Sequence, residues 1–154
     1  LMNKIKNFTL ILLLSILTNC GYKAVLNNQN YKFAINVDKI NGDQKINSLI
    51  INDFKQLNEN EKKYNLALTS NKEKLIISKD SKGDPSIFEI KINVNYVVKK
   101  EEEILISNNI NKKTTYNNIT DKFELENYEK TIINNLVSEI SENIMLSISK
   151  ISEW

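Results

Sequence analysis

Between Phe88 and Val98 every second residue is apolar: Phe88, Ile90, Ile92, Val94, Tyr96 and Val98. The residues between them include Glu89, Lys91, Asn93 and Asn95. Side chains of an extended backbone point alternately to opposite sides, so this run is a strand with one buried and one polar face. A helix repeats every 3.6 residues and cannot gather those six side chains on one side. The rest of the chain therefore has to supply an apolar layer that covers this face.

Two segments supply it. Ile46, Leu49, Ile50, Phe54 and Leu57 fall at helical spacing and predict an amphipathic helix over 44–58. The charged run Glu59 to Lys63 ends it. Asn41-Gly42-Asp43 reads as the turn before it, with Asp43 placed to cap the first turn. Near the end of the chain, Tyr128, Ile132, Leu136, Ile140, Ile144 and Ile148 recur every four residues, and Ile133, Val137 and Ile151 widen the stripe. Asp121 and Glu124 have capping-box spacing for this second helix, with Asn127 as a competing start. A stripe of this kind is far more often core than partner surface.

Three further strands accompany the first. Tyr31, Phe33, Ile35 and Val37 alternate with Lys32, Ala34, Asn36 and Asp38. Leu66 and Leu68 start another strand, which reaches Leu75 and Ile77 through a bulge. Lys82-Gly83-Asp84-Pro85 is a turn. After a charged tip at Lys99 to Glu103, Ile104, Ile106 and Ile110 form a return strand whose polar second half ends near Tyr116. The order is β-α-β-β-β-α. The fold class this predicts is α+β: a two-layer sandwich, with a four-stranded, mostly antiparallel sheet and both helices on one face. The other sheet face is left polar, as antiparallel sheets tolerate, and carries Lys32, Asn36, Glu89, Lys91, Asn93 and Asn95.

The first residues have a different character. Lys4 and Lys6 precede an almost unbroken apolar stretch from Phe8 to Leu17, which closes on Leu17-Thr18-Asn19-Cys20. A positive start, a short apolar run and a cleavage site make a bacterial secretory signal. The apolar run is about half the roughly 20 residues that span a bilayer. Cys20 is the only cysteine, so no intrachain disulfide is available. A single cysteine is often a small buried hydrophobe, but its place at the foot of the apolar run resembles a lipobox, where the thiol receives diacylglycerol and becomes the new N-terminus. The expected organisation is a signal peptide over 1–19, a lipidated tether over 20–30 and one domain over 31–154.

Composition closes off several function classes. Without Lys4 and Lys6 the 21 basic residues, all lysine, balance the 19 acids, so the mature chain is no nucleic-acid polycation. The chain has no histidine, which removes Ser-His-Asp and Cys-His catalysis and the commonest zinc ligand. Its three glycines, Gly21, Gly42 and Gly83, are too far apart for a phosphate loop. Glu101-Glu102-Glu103 reads as a solvated hairpin tip. No catalytic residue, metal site or cofactor is expected, and Cys20 is the one site residue assigned.

With these elements in place the chain resembles the lipopolysaccharide-assembly lipoproteins, the LptE family, of the alphaproteobacterial type. The resemblance rests on Cys20-Gly21-Tyr22-Lys23, on the element order including Val94-Asn95-Tyr96-Val97-Val98, and on the closing helix around Leu136 to Ile144. It implies an outer-membrane lipoprotein on the periplasmic side, with an outer-membrane β-barrel and lipopolysaccharide as partners. Such a protein helps the barrel assemble, plugs it and supports lipopolysaccharide insertion into the outer leaflet. The resemblance places no lipopolysaccharide-binding residue on this chain. The alternative is a lipid-anchored binding or scaffold module of another envelope complex, which the same fold permits.

Overall fold

The computed structural model of the chain describes residues 33–55 and 62–152. In order, the elements are β1 (Phe33–Gly42), α1 (Gln44–Phe54), β2 (Lys62–Lys79), β3 (Pro85–Lys100), β4 (Glu103–Asn117) and α2 (Lys122–Ser152). The strands form one sheet in the order β1-β2-β3-β4. β1 runs parallel to β2, and the other two pairings are antiparallel. Parallel neighbours require a crossover, and α1 provides it. The expected α+β order and four-stranded, mostly antiparallel sheet are thus present.

Both helices cover one side of the sheet. Tyr64, Leu66 and Leu68 of β2 and the whole apolar set of β3 are buried beneath Ile46, Ile50 and Phe54 of α1 and beneath Ile132, Leu136, Ile140, Ile144 and Ile148 of α2. Ile92 and Ile140, from the two cleanest periodic stripes, are completely buried. Phe33 and Tyr64 close one end of the core with an edge-to-face contact at 6.2 Å between centroids. At the other end Phe88 stacks on Tyr116 at 5.7 Å, and Tyr116 meets Tyr128 edge-on at 6.0 Å.

The connection from β1 into α1 shows how local chemistry positions the layers. The strand runs on through Asn41 and Gly42, where the sequence reads as a turn. Gly42 has φ +88°, and a Cβ there would lie 1.8 Å from the Ser70 carbonyl oxygen. Only glycine allows this approach. The next residue, Asp43, donates its N–H to the same carbonyl at 3.0 Å and accepts from the Lys45 and Ile46 amides, both at 3.0 Å. Asp43 is therefore the N-cap that the sequence predicts. At α2 the Asp121 carboxylate accepts from the Glu124 amide at 2.9 Å, so the helix starts at Lys122 and not at Asn127.

Three details differ from the sequence reading. α1 ends at Phe54, before the expected 58, and Leu57 lies outside the described residues. β2 keeps an unbroken register with β3 from Asn65 to Ile76, so Leu75 points away from the face of Leu66 and Leu68. The bulge falls later, at Ile77. The inward positions between are polar, because the helix layer offers them partners. The Ser70 hydroxyl donates to the Asp43 carbonyl at 3.1 Å, Lys72 lies 3.6 Å from the Asp43 carboxylate, and Lys74 pairs with Glu129 at 2.6 Å. The third difference is in β1, where the register slips at Asp38, so Ile40 pairs with Leu68 although it is out of phase with Val37. The first strand residues named above, Tyr31 and Lys32, lie outside the described residues, as do the signal and tether.

A polar sheet face as the candidate interaction site

The side of the sheet away from the helices is built from amide side chains. Its rows follow from the strand register. Thr69, Asn95 and Asn109 lie side by side across β2, β3 and β4, and the next row is Asn71, Asn93 and Asn111. Asn109 Nδ2 donates to Asn95 Oδ1 at 2.8 Å and also to Asn93 Oδ1. Asn71 donates to Glu73 at 2.9 Å, and at the other edge Asn36 of β1 donates to Asn65 of β2 at 2.9 Å. An amide side chain is both donor and acceptor, so each link leaves unused groups directed outward.

The row beyond the asparagines is charged: Glu73, Lys91 and Lys113. Glu89 lies one row further and is almost buried, with its carboxylate 3.0 Å from the Lys113 ammonium. Two glutamates are thus set against two lysines, and the block is neutral. Toward the opposite end the face turns mixed, with Ala67, Val97 and Ser107 in one row and the exposed Ile104 near the β3–β4 tip. Ala34, Ile35, Asn36, Lys63 and Asn65 line a depression of about 440 Å³ at the β1–β2 edge. Its polar lining is Lys63 and the Asn36 and Asn65 amides, which bond to each other.

Among the described residues two titrating groups depart from their ordinary values, and neither is on this face. Burial between the helices pushes the Asp53 carboxyl up, partly offset by Ser141 of α2. The Ser141 hydroxyl is completely buried and makes no hydrogen bond of normal geometry, so its effect on Asp53 is a weak lowering that burial outweighs. Tyr116 is pushed far above the ordinary phenol range, first by burial and then by Glu129, whose carboxylate accepts its hydroxyl at 2.8 Å. Lys74 shares that carboxylate and sits 4.3 Å over the Phe88 ring. This is a structural clasp between β2, β4 and α2.

Of the residues singled out from sequence, Asn36, Glu89, Lys91, Asn93 and Asn95 all lie on the polar face, and Lys32 and Cys20 are outside the described residues. Missed were Asn65, Asn71, Asn109 and Asn111, which complete the rows from the neighbouring strands. Glu101-Glu102-Glu103 forms the exposed end of the β3–β4 hairpin. Among the described residues no group of acidic, cysteine or histidine side chains could hold a metal ion, and no helix is long and apolar enough to cross a membrane.

The arrangement of sheet and helices is an α+β sandwich of a kind found in bacterial lipoproteins. The chain is similar to the rare lipoprotein B of Shewanella oneidensis, with a TM-score of 0.56 at 11% identity over 75% of this chain and 95% of that one. It is also similar to a lipoprotein B of Nitrosomonas europaea, with a TM-score of 0.57 at 13% identity over 86% and 93%. A third likeness is to a minor lipoprotein of Acinetobacter baumannii, with a TM-score of 0.53 at 10% identity over 78% and 92%. At these identities the shared property is the fold. No protein-family model matches the chain, and no curated protein is similar to it in sequence. The neighbours share the α+β sandwich that the sequence predicts for this chain.

Proposed function

We propose that this chain is a lipid-anchored envelope protein that works without catalysis as a plug and assembly factor for the outer-membrane β-barrel of lipopolysaccharide transport. Cys20 is its lipid attachment point, and the domain sits on the periplasmic side of the outer membrane. The observation that carries this reading is the asparagine-lined sheet face, uncovered among the described residues, on a fold shared with bacterial lipoproteins. Barrel lumens are polar. A surface placed inside one has to exchange water for hydrogen bonds without burying unpaired charge, which is costly. Amide rows with a neutral charged block meet that requirement, and the lipid anchor would hold the domain where such barrels are assembled.

Pull-down of the tagged protein from detergent-solubilised envelopes tests the proposal. The wild type is expected to retain an outer-membrane β-barrel. Asn93→Glu and Asn95→Trp should reduce recovery while leaving the melt of the isolated protein unchanged. Retention of a different envelope complex would favour the scaffold alternative, and recovery of no barrel by the wild type would remove the proposal.

A further inference from the structure

Of the chain's asparagines only Asn41 is followed by glycine, and the Asn41-Gly42 pair ends β1 with both residues exposed. Such a pair is chemically labile. The side-chain carbonyl carbon of an asparagine can close a five-membered ring with the next backbone nitrogen, and glycine has no Cβ to obstruct the closure. In that ring the Asn41 Cβ and the Gly42 nitrogen are eclipsed about the Cα–C bond, which the extended backbone of a strand does not allow. The peptide therefore has to turn out of the ladder before it reacts. A buried side chain opposes that turn. Asn47 of α1 is 2% exposed and donates its Nδ2 to the Asn41 carbonyl at 2.8 Å. Its Oδ1 has no hydrogen-bond partner among the described residues, so the clasp on Asn41 is what this buried amide does there.

We infer that Asn41 is a site of spontaneous deamidation, gated by the Asn47 clasp. When the junction opens, the Gly42 nitrogen gives up its proton to hydroxide and attacks Asn41 Cγ. A C–N bond forms, the side-chain nitrogen leaves as ammonia, and a succinimide results. One water then adds at either ring carbonyl and opens the ring to aspartate or isoaspartate. Both products carry a new carboxylate. Asn41 pairs with Thr69, so in the aspartate product the charge falls at the end of the row formed by Thr69, Asn95 and Asn109. Isoaspartate also lengthens the main chain by one carbon directly before Gly42, where the Ser70 carbonyl leaves no room even for a Cβ. The modification belongs to the β1–α1 junction and does not rest on the barrel reading.

Incubation of the full chain carrying Cys20→Ser in mildly alkaline buffer, followed by peptide mapping and enzymatic methylation of isoaspartate, tests it. The Asn41 peptide should gain the mass that exchange of NH2 for OH gives. The reaction should be at least about tenfold slower in the folded protein than in urea, because only the open fraction reacts. Asn47→Ala should quicken the folded-state reaction about fivefold, the factor that one neutral hydrogen bond is worth. Asn47→Ser, too short to reach the carbonyl, should do the same and serves if the first variant does not fold. Tyr116→Phe removes a hydrogen bond on the β4–α2 side and should leave the rate within about twofold. No modification of Asn41 in the folded protein, a rate equal to that of the unfolded chain, or Asn47 variants no faster than Tyr116→Phe would each overturn the inference.

Discussion

At the scale of single residues, several positions have surroundings that allow little else. Ile92 and Ile140 are completely buried where sheet meets helix. Truncating either to Ala should cost roughly 2–5 kcal/mol in denaturant melts, whereas Asn93→Ala on the polar face should cost within about 0.5 kcal/mol. A costly Asn93→Ala would mean that this face is covered in the isolated protein. Gly42→Ala would place a methyl group against the Ser70 carbonyl at a positive φ, and should destabilise more than loss of the neighbouring Asp43 cap, itself about 1 kcal/mol. Asp53 carries the clearest pH signature. Its carboxyl is raised by burial, so folding favours its protonated form. Its contribution is fully present below its unfolded value of about 3.9 and is lost as pH rises through the higher folded value. Asp53→Asn should therefore be more stable than the wild type near neutral pH and show no advantage at about pH 3, as paired chemical denaturation would record.

At the scale of elements, the period-two and helical patterns are legible in the sequence because each element buries one side only. Phe88 to Val98 and Ile132 to Ile148 declare both their type and their buried side. Register is less legible, because a bulge leaves no compositional mark. The β3–β4 turn closes between Lys100 and Glu103, and counting back from there would set Asn95 opposite Asn108. Leu105 is an extra residue, which shifts every later pair by one and brings Asn95 to Asn109. The amide rows thus follow from an insertion that the sequence does not display. The same holds at Asp38 in β1 and at Ile77 in β2, where apolar phase changes within one strand. Lys72 and Lys74 illustrate the converse: polar residues on a buried side read as an interruption until the facing carboxylates of Asp43 and Glu129 are known. The β3–β4 tip offers a test at this scale. Glu101 has φ +54°, a conformation that costs a side-chain-bearing residue roughly 1 kcal/mol or more. Glu101→Gly should raise stability by up to about that amount in thermal or denaturant melts.

At the scale of the whole molecule, the described residues form a sheet covered by helices on one side and polar on the other. The fold is shared with bacterial lipoproteins, and the Cys20 context read from the sequence predicts how such a domain would be tethered. Mass spectrometry of the membrane-extracted protein should find an N-terminal peptide that begins at Cys20 and carries diacylglycerol. An unmodified thiol, or a different N-terminus, would contradict the tether. Cys20→Ser should release the domain into the soluble fraction without changing its melt, since the core of the described residues is formed by Phe33 and later positions.

Photo-crosslinking in living cells tests directly whether the asparagine face meets the proposed barrel. A photoreactive residue placed at Asn95 on the polar face should yield an adduct with an outer-membrane β-barrel protein. The same residue at Lys130, exposed on the helix side, should not. Adducts from Lys130 alone, or from neither position with the protein correctly lipidated, would contradict the account.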